Sequence, residues 1–392
     1  MLNFYSALFV VLTAPYHQNP ASAVGHIFLL QADSLQPYPL WNTIEFVAET
    51  GDASKLSYIT KGVYGGFAAN YETVPFYEKI HKYVDEEKRN LFIYPLKISS
   101  EELAKFNDTL NLWKTKEDSY KFFTNNCVDG IYNLLKSTLD SIQEAPILLT
   151  PQNLIRLLNE SGKIGEPLLL QSHKNKTEEQ NVILQNNMQI PHKYSRFDIG
   201  ALFFEKPYMN LRFRLFLHDF SDYGGYYSNF INFEALALNL YFNSDRIDFK
   251  ELWFIRIRSE KPSYNFISDW SWLIESGIEG FKITNFGLGK TYLIFNDYSL
   301  AYLFRGSILG DEQNECYAGF QIVARGFSSK KYRFGAYFDY LRTLAKHNDI
   351  RTNSGMWVSF DLTENLNLFA ENSIKNYSEN SFSLMLRFYL GL

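Results

Sequence analysis

The chain has 392 residues, a formal net charge of −5 and two cysteines, Cys127 and Cys316. The length suits two domains of ordinary size, the slightly acidic balance gives no support for nucleic-acid binding, and two cysteines so far apart do not suggest a disulfide framework. No apolar run reaches the roughly 18 residues of a membrane-spanning helix, although aromatic content is high at 17% and is concentrated in the second half.

Leu2 to Ala14 is apolar and Ala21-Ser22-Ala23 resembles a cleavage site, but no Lys or Arg precedes the run as a signal peptide requires. Residues Ala7 to Thr13 are therefore predicted as a first core strand, so that an exported protein needs a signal upstream of Met1. A loop through Pro15 and Pro20 leads to Ala23-Val24-Gly25-His26-Ile27-Phe28-Leu29-Leu30, in which an imidazole opens an apolar strand. Asn42-Thr43-Ile44-Glu45-Phe46-Val47-Ala48 alternates as a neighbouring strand, and Asn42 or Glu45 is placed to hold one imidazole nitrogen, unless each is simply an exposed-face residue. Gly62 to Gly66 reads as a loop over the cleft, with Tyr64 and Phe67 as lipid contacts or packing aromatics.

Ser99-Ser100-Glu101-Glu102 matches a capping box, followed by Leu103, Phe106, Leu110 and Trp113 at helical spacing. Next comes Thr124-Asn125-Asn126-Cys127-Val128-Asp129-Gly130, with Ile131, Leu134 and Leu135 continuing the helical period. A cysteine in a helix is most often a small buried hydrophobe. This one stands where the helix starts, and the positive end of the helix dipole favours the thiolate, the nucleophilic form. Its base must be brought near by the fold rather than by adjacency, and His26 is the best partner. Pro151 opens another helix with Leu154, Leu157 and Leu158 on one face.

These features resemble the circularly permuted papain-like thiol enzymes, in which a histidine precedes an Asn-Cys at a helix start. Four segments make the resemblance narrower: Asn19 to Leu29, Gly62 to Phe67, Pro75-Phe76-Tyr77-Glu78-Lys79-Ile80, and Tyr120-Lys121-Phe122-Phe123-Thr124-Asn125-Asn126-Cys127. In this order they resemble the N-terminal periplasmic domain of the Lnb family of bacterial lipoprotein N-acyltransferases, over roughly the first 160 residues. Two departures stand out: Ile93 occupies an acidic position of the family pattern, and transmembrane helices do not follow.

The resemblance implies an α+β, permuted papain-like domain that performs thiol-dependent acyl transfer without metal or cofactor. Cys127 matches the nucleophile and His26 its histidine. The Cys127 amide and the Asn126 side chain are then candidates for the oxyanion, and Asn42 for the third residue, with Glu45 as the alternative. Phospholipid is the implied acyl donor and a lipoprotein N-terminus the implied acceptor. With water as acceptor the same site is a phospholipase. A peptidoglycan amide hydrolase, or a barrel protein without catalysis, are the remaining alternatives.

Residues 1–165 form this expected domain, 166–195 a polar linker, and 196–392 a different architecture. From Arg196 onward the period is two. Leu211, Phe213, Leu215 and Leu217 alternate with Arg212 and Arg214, and Leu384, Leu386, Phe388 and Leu390 alternate with Ser383 and Arg387. About twelve such segments predict an antiparallel barrel in the outer membrane, because a barrel of that size has more interior than apolar side chains usually fill. Trp253, Trp270, Trp272 and Trp357 are expected at strand ends. His218 is read as a strand-end residue and Cys316 as a wall residue. The compartment that follows is the outer membrane, with the first domain in the periplasm.

Overall fold

The computed structural model describes residues 7–16, 25–49, 66–116, 118–121, 124–146, 149–172, 193, 195–204, 207–222, 230–244, 247–263, 269–295, 298–310, 315–326, 331–345, 349–363, 365–377 and 379–390. The expected cleft loop of residues 62–65, and most of the expected linker, lie outside them. The chain divides into two compact units, one reaching Pro191 and one comprising the remainder to Leu392.

The first unit is a seven-stranded antiparallel sheet. Its strands are β1 (Leu8–Thr13), β2 (His26–Gln31), β3 (Asn42–Ala48), β4 (Phe67–Pro75), β5 (Leu91–Pro95), β6 (Asp118–Tyr120) and β7 (Leu168–Leu170). They lie in the order β6-β4-β3-β2-β1-β5-β7. Both faces are covered, which explains why β1 reads Leu-Phe-Val-Val-Leu-Thr with every residue buried rather than alternating. On one face Phe9, Val11, Phe28, Leu30, Leu91 and Ile93 pack with Phe76, Tyr83 and Val84. The last three come from α1 (Phe76–Lys79) and the π-helical turns Ile80–Glu86 that continue it.

Three further helices complete the unit: α2 (Ser100–Trp113), α3 (Cys127–Thr138) and α4 (Pro151–Glu160). α2 carries the Ser99–Glu102 capping box. α3 buries Ile131, Leu134 and Leu135 and packs on β2, β3 and α2, while α4 packs on β1. Leu168–Leu170, inside the expected linker, pairs instead with Leu91–Ile93 as β7. Three successive leucines at the open edge of the sheet gain more by burial there than by exposure in a tether.

The second unit is a closed barrel of twelve antiparallel strands. In chain order they are β8 (Ser195–Phe203), β9 (Pro207–His218), β10 (Ile231–Phe242), β11 (Ile247–Ser259), β12 (Ser271–Glu279), β13 (Phe281–Phe295), β14 (Tyr298–Gly310), β15 (Cys316–Gly326), β16 (Tyr332–Thr343), β17 (Ile350–Thr363), β18 (Leu366–Lys375) and β19 (Glu379–Leu390). Each strand pairs with its sequence neighbours, and β19 pairs with β8 to close the ring.

Facing follows the alternation. Leu384, Leu386 and Phe388 are 43%, 40% and 37% exposed, while Met385, Arg387 and Tyr389 between them are 6%, 2% and 3%. Apolar side chains therefore point outward and charged ones inward, the reverse of a soluble barrel. Two expected girdle tryptophans do not follow this rule. Trp253 lies in the middle of β11, buried, with its indole Nε1 donating to Glu251 at 2.8 Å. Trp357 lies mid-strand in β17 between the exposed Met356 and Val358. Both follow the inward parity of their strands, which outweighs the interfacial preference of the residue type.

The lumen is filled by ion pairs. After His218, buried as the last residue of β9, the turn Asp219-Phe220-Ser221-Asp222 enters a cluster of arginines. Arg196 Nη1 reaches Asp219 Oδ2 at 2.5 Å and Asp222 Oδ1 at 2.6 Å, and Arg214 Nη2 reaches Asp222 Oδ2 at 2.6 Å. The Ser221 carbonyl accepts from Arg333 Nε at 2.9 Å and from Ser359 Oγ at 2.6 Å, and Arg387 Nη1 donates to Ser221 Oγ at 2.5 Å. Phe220 lies under the Arg325 guanidinium, 3.2 Å from carbon to ring centroid.

Candidate functional site

Cys127 is the first residue of α3, as the sequence predicts. The helix starts there because Asn126 Oδ1 accepts from the Val128 amide at 2.8 Å and the Asp129 amide at 3.3 Å, while Asp129 Oδ2 accepts from the Asn126 amide at 3.0 Å. This capping box satisfies amides that a helix start otherwise leaves without partners. The oxygen of Asn126 is thereby committed to the cap. The Cys127 amide donates to Tyr120 Oη at 3.3 Å. Gly130, one turn on, lets α3 seat against the sheet: a Cβ there would lie 2.3 Å from Cγ of Phe46.

His26 is the first residue of β2. Gly25 before it has φ +90°, and a Cβ there would meet the Thr13 carbonyl at 2.7 Å, so glycine is the residue that admits this entry. Thr13 Oγ1 accepts from the His26 amide at 2.9 Å and also from Arg89, whose Nε donates to Ala14 O at 2.6 Å. The histidine's backbone is thus tied to β1 from two directions. Its ring packs on Tyr83, centroids 5.9 Å apart.

Cys127 lies close enough to the His26 ring to act on its charge. His26 Nε2 stands 3.4 Å from Glu45 Oε1, and Glu45 Oε2 takes Lys79 Nζ at 2.7 Å. Cysteine, imidazole, carboxylate and ammonium therefore form one chain across four elements, α3, β2, β3 and α1. Burial would lower the His26 pKa, but the charge and hydrogen bond of Cys127, together with those of Glu45, outweigh it and raise it to about 9. Burial pushes Glu45 up, yet the contacts with His26 and Lys79 prevail and lower it to about 2. Glu45 is therefore an anion throughout the range in which proteins work. The arrangement keeps an imidazolium beside a cysteine sulfur, which is what a thiolate nucleophile requires.

Asn42 is not part of this chain. It is exposed at the far end of β3, paired in register with Gln31 and Pro75. Continuing the β2–β3 register one step beyond Leu29↔Ile44 sets Phe28 against Glu45, which makes Glu45 the diagonal neighbour of His26 on the same face. Lys79, Thr13, Tyr83 and Tyr120 are the site residues that reading the sequence did not single out. Lys79 and Tyr120 lie within the segments that carry the family resemblance, which was the available signal. Cys316 opens β15, exposed, in the other unit. Among the described residues no His, Cys, Asp and Glu cluster has metal-ligand geometry.

The family comparison divides the chain as the fold does. Residues 3–161 match the Lnb N-terminal periplasmic domain, and residues 191–389 match a domain of unknown function, DUF7840. No curated protein matches. Among solved structures, the KdgM porin is similar at 11% identity over 50% of this chain and 99% of its own, TM-score 0.33. The NanC porin shows 7% identity over 50% and 100%, TM-score 0.34. Outer-membrane expressed OmpT of Vibrio cholerae shows 12% over 50% and 96%, TM-score 0.29. Likenesses this distant carry no functional argument. The outward apolar face and charged lumen of the closed barrel are by themselves those of an outer-membrane protein, and the first domain is of a periplasmic kind. The chain is an outer-membrane protein that carries an Lnb-type periplasmic domain at its N-terminus and belongs, through its barrel half, to the DUF7840 family.

Proposed function

We propose that the first domain is a cysteine-dependent acyltransferase that moves an acyl chain from a phospholipid ester to an amine, such as a lipoprotein N-terminus. The observation that carries this reading is the Cys127–His26–Glu45–Lys79 chain. A helix-start thiol meets a histidine held cationic, as in permuted papain-like enzymes. In the first half-reaction the Cys127 sulfur bonds to the ester carbonyl carbon and the carbonyl electron pair moves to oxygen. Collapse of that intermediate breaks the C–O bond, and His26 gives its proton to the departing alcohol. In the second, the acceptor amine attacks the thioester, His26 takes its proton, and the thiolate leaves. Water in place of the amine makes the same site a phospholipase.

The test uses the full chain in detergent micelles with a phospholipid bearing a labelled acyl chain. A thioester on Cys127, sensitive to hydroxylamine and absent in Cys127→Ser, is expected, and Cys316→Ser should label like the wild type. Equal loss in both variants, or no label on the wild type, would overturn the proposal. Adding a diacylated lipopeptide then separates acceptors: N-acyl peptide marks a transferase, free fatty acid a phospholipase.

A further inference from the structure

We infer that Tyr120 is an oxyanion donor of this site, its hydroxyl acting together with the Cys127 amide on the carbonyl oxygen under attack. The inference rests on the reading of Cys127 as the residue that accepts the acyl chain. When a nucleophile at a helix start attacks a carbonyl, the oxygen that gains charge lies beside the nucleophile's own amide, where donors at 2.7–3.1 Å stabilise it most. That amide presently donates to Tyr120 Oη, 3.3 Å away. A phenol both accepts and donates. As the substrate oxygen takes the Cys127 N–H, the hydroxyl hydrogen of Tyr120 turns to the same oxygen. Asn126 has its oxygen turned to the helix amides of Val128 and Asp129.

Several contacts hold the tyrosine in place. Tyr120 pairs with Phe67 at the end of β6, and its ring stacks on Phe46 at 6.2 Å and 23°. The chain then folds back at once: Lys121 and Asn125 exchange backbone hydrogen bonds of 3.0 and 3.2 Å, and Asn125 Nδ2 donates to Ser119 O at 2.8 Å. These contacts hold the hydroxyl at the first residue of α3. A donor fixed before the reaction needs no reorganisation as charge develops, which is the condition for electrostatic catalysis.

The test compares two reactions of Cys127 in the full chain and in Tyr120→Phe. Alkylation by iodoacetamide displaces iodide and forms no oxyanion; acylation by a p-nitrophenyl ester passes through one. Tyr120→Phe should leave alkylation unchanged and slow acylation about 100-fold, the scale of losing one oxyanion-hole donor. Acylation at the wild-type rate overturns the inference while leaving the acyltransferase reading intact. A parallel loss of both rates also overturns it, since that shows a purely structural tyrosine. If the wild type itself takes no acyl group, the acyltransferase reading falls and this inference with it.

Discussion

At the scale of single residues, the carboxylate is the part of the site whose role can be separated by pH. His26 is raised to about 9 in spite of its burial, through Cys127 and Glu45. The ion pair it forms is therefore complete below the ordinary histidine pKa of about 6.5 and is lost as pH rises through that raised value; stability linked to the pair follows the same course. Glu45→Gln removes one raising contribution, so the alkaline limb of Cys127 alkylation against pH should move to lower pH. Asn42→Ala should leave the profile where it is. A profile that Glu45→Gln does not move would remove the carboxylate from the site. His26 and Cys127 were legible in the sequence because each opens an element. The choice between Asn42 and Glu45 was not, because the two have opposite parity on β3 and only the β2–β3 register decides which one shares a face with the imidazole.

At the scale of elements, the N-terminus of α3 does two jobs with one motif. The capping box that starts the helix also fixes Cys127 at its first position, so loss of the cap acts on both stability and placement of the sulfur. Asn126→Ala should lower stability by about 1 kcal/mol, and Asn126→Asp, which can still accept from the first-turn amides, should restore most of it; denaturant melts of the full chain read the difference. Gly130 supplies a sharper case because the ordinary expectation has the opposite sign. In an exposed helix, glycine to alanine gains up to about 1 kcal/mol. Here the new methyl carbon meets Phe46 Cγ at 2.3 Å, with Cβ and the ring atom Cδ1 nearly as close, so Gly130→Ala should destabilise and slow Cys127 chemistry together. A stabilised variant would show that α3 can move off the sheet. The helix start was readable from Asn126 and Asp129. The need for glycine was not, because it arises from a strand some eighty positions earlier in the chain.

At the scale of the whole molecule, period-two alternation showed the barrel, but alternation is the same whether apolar residues face in or out. Burial gives the direction: Arg214 is fully buried between partners, while Phe213 stands on the outward parity. Phe213→Arg near the midplane should cost roughly 2–4 kcal/mol in lipid. Arg212→Asn should cost far less, since Glu234 keeps Arg214 and Arg256 as partners. Comparable losses in folding yield would contradict the lipid-facing assignment.

The lumen gives a further test of what the barrel is for. A channel needs a continuous watery path, and here the Asp219–Asp222 turn occupies the barrel interior, held by Arg196, Arg214, Arg333 and Arg387. Wild-type protein in planar bilayers should therefore conduct little. Replacing residues 219–222 with Gly-Ser-Gly-Ser removes both carboxylates and Phe220, admits water and leaves the arginines without these partners. The resulting leak should prefer anions, since a ring of arginines favours them. Open channels of similar size in wild type and variant would show that the turn does not close the path. Absence of conductance in the wild type with an anion-selective leak in the variant would mark the barrel as a membrane anchor for the first domain.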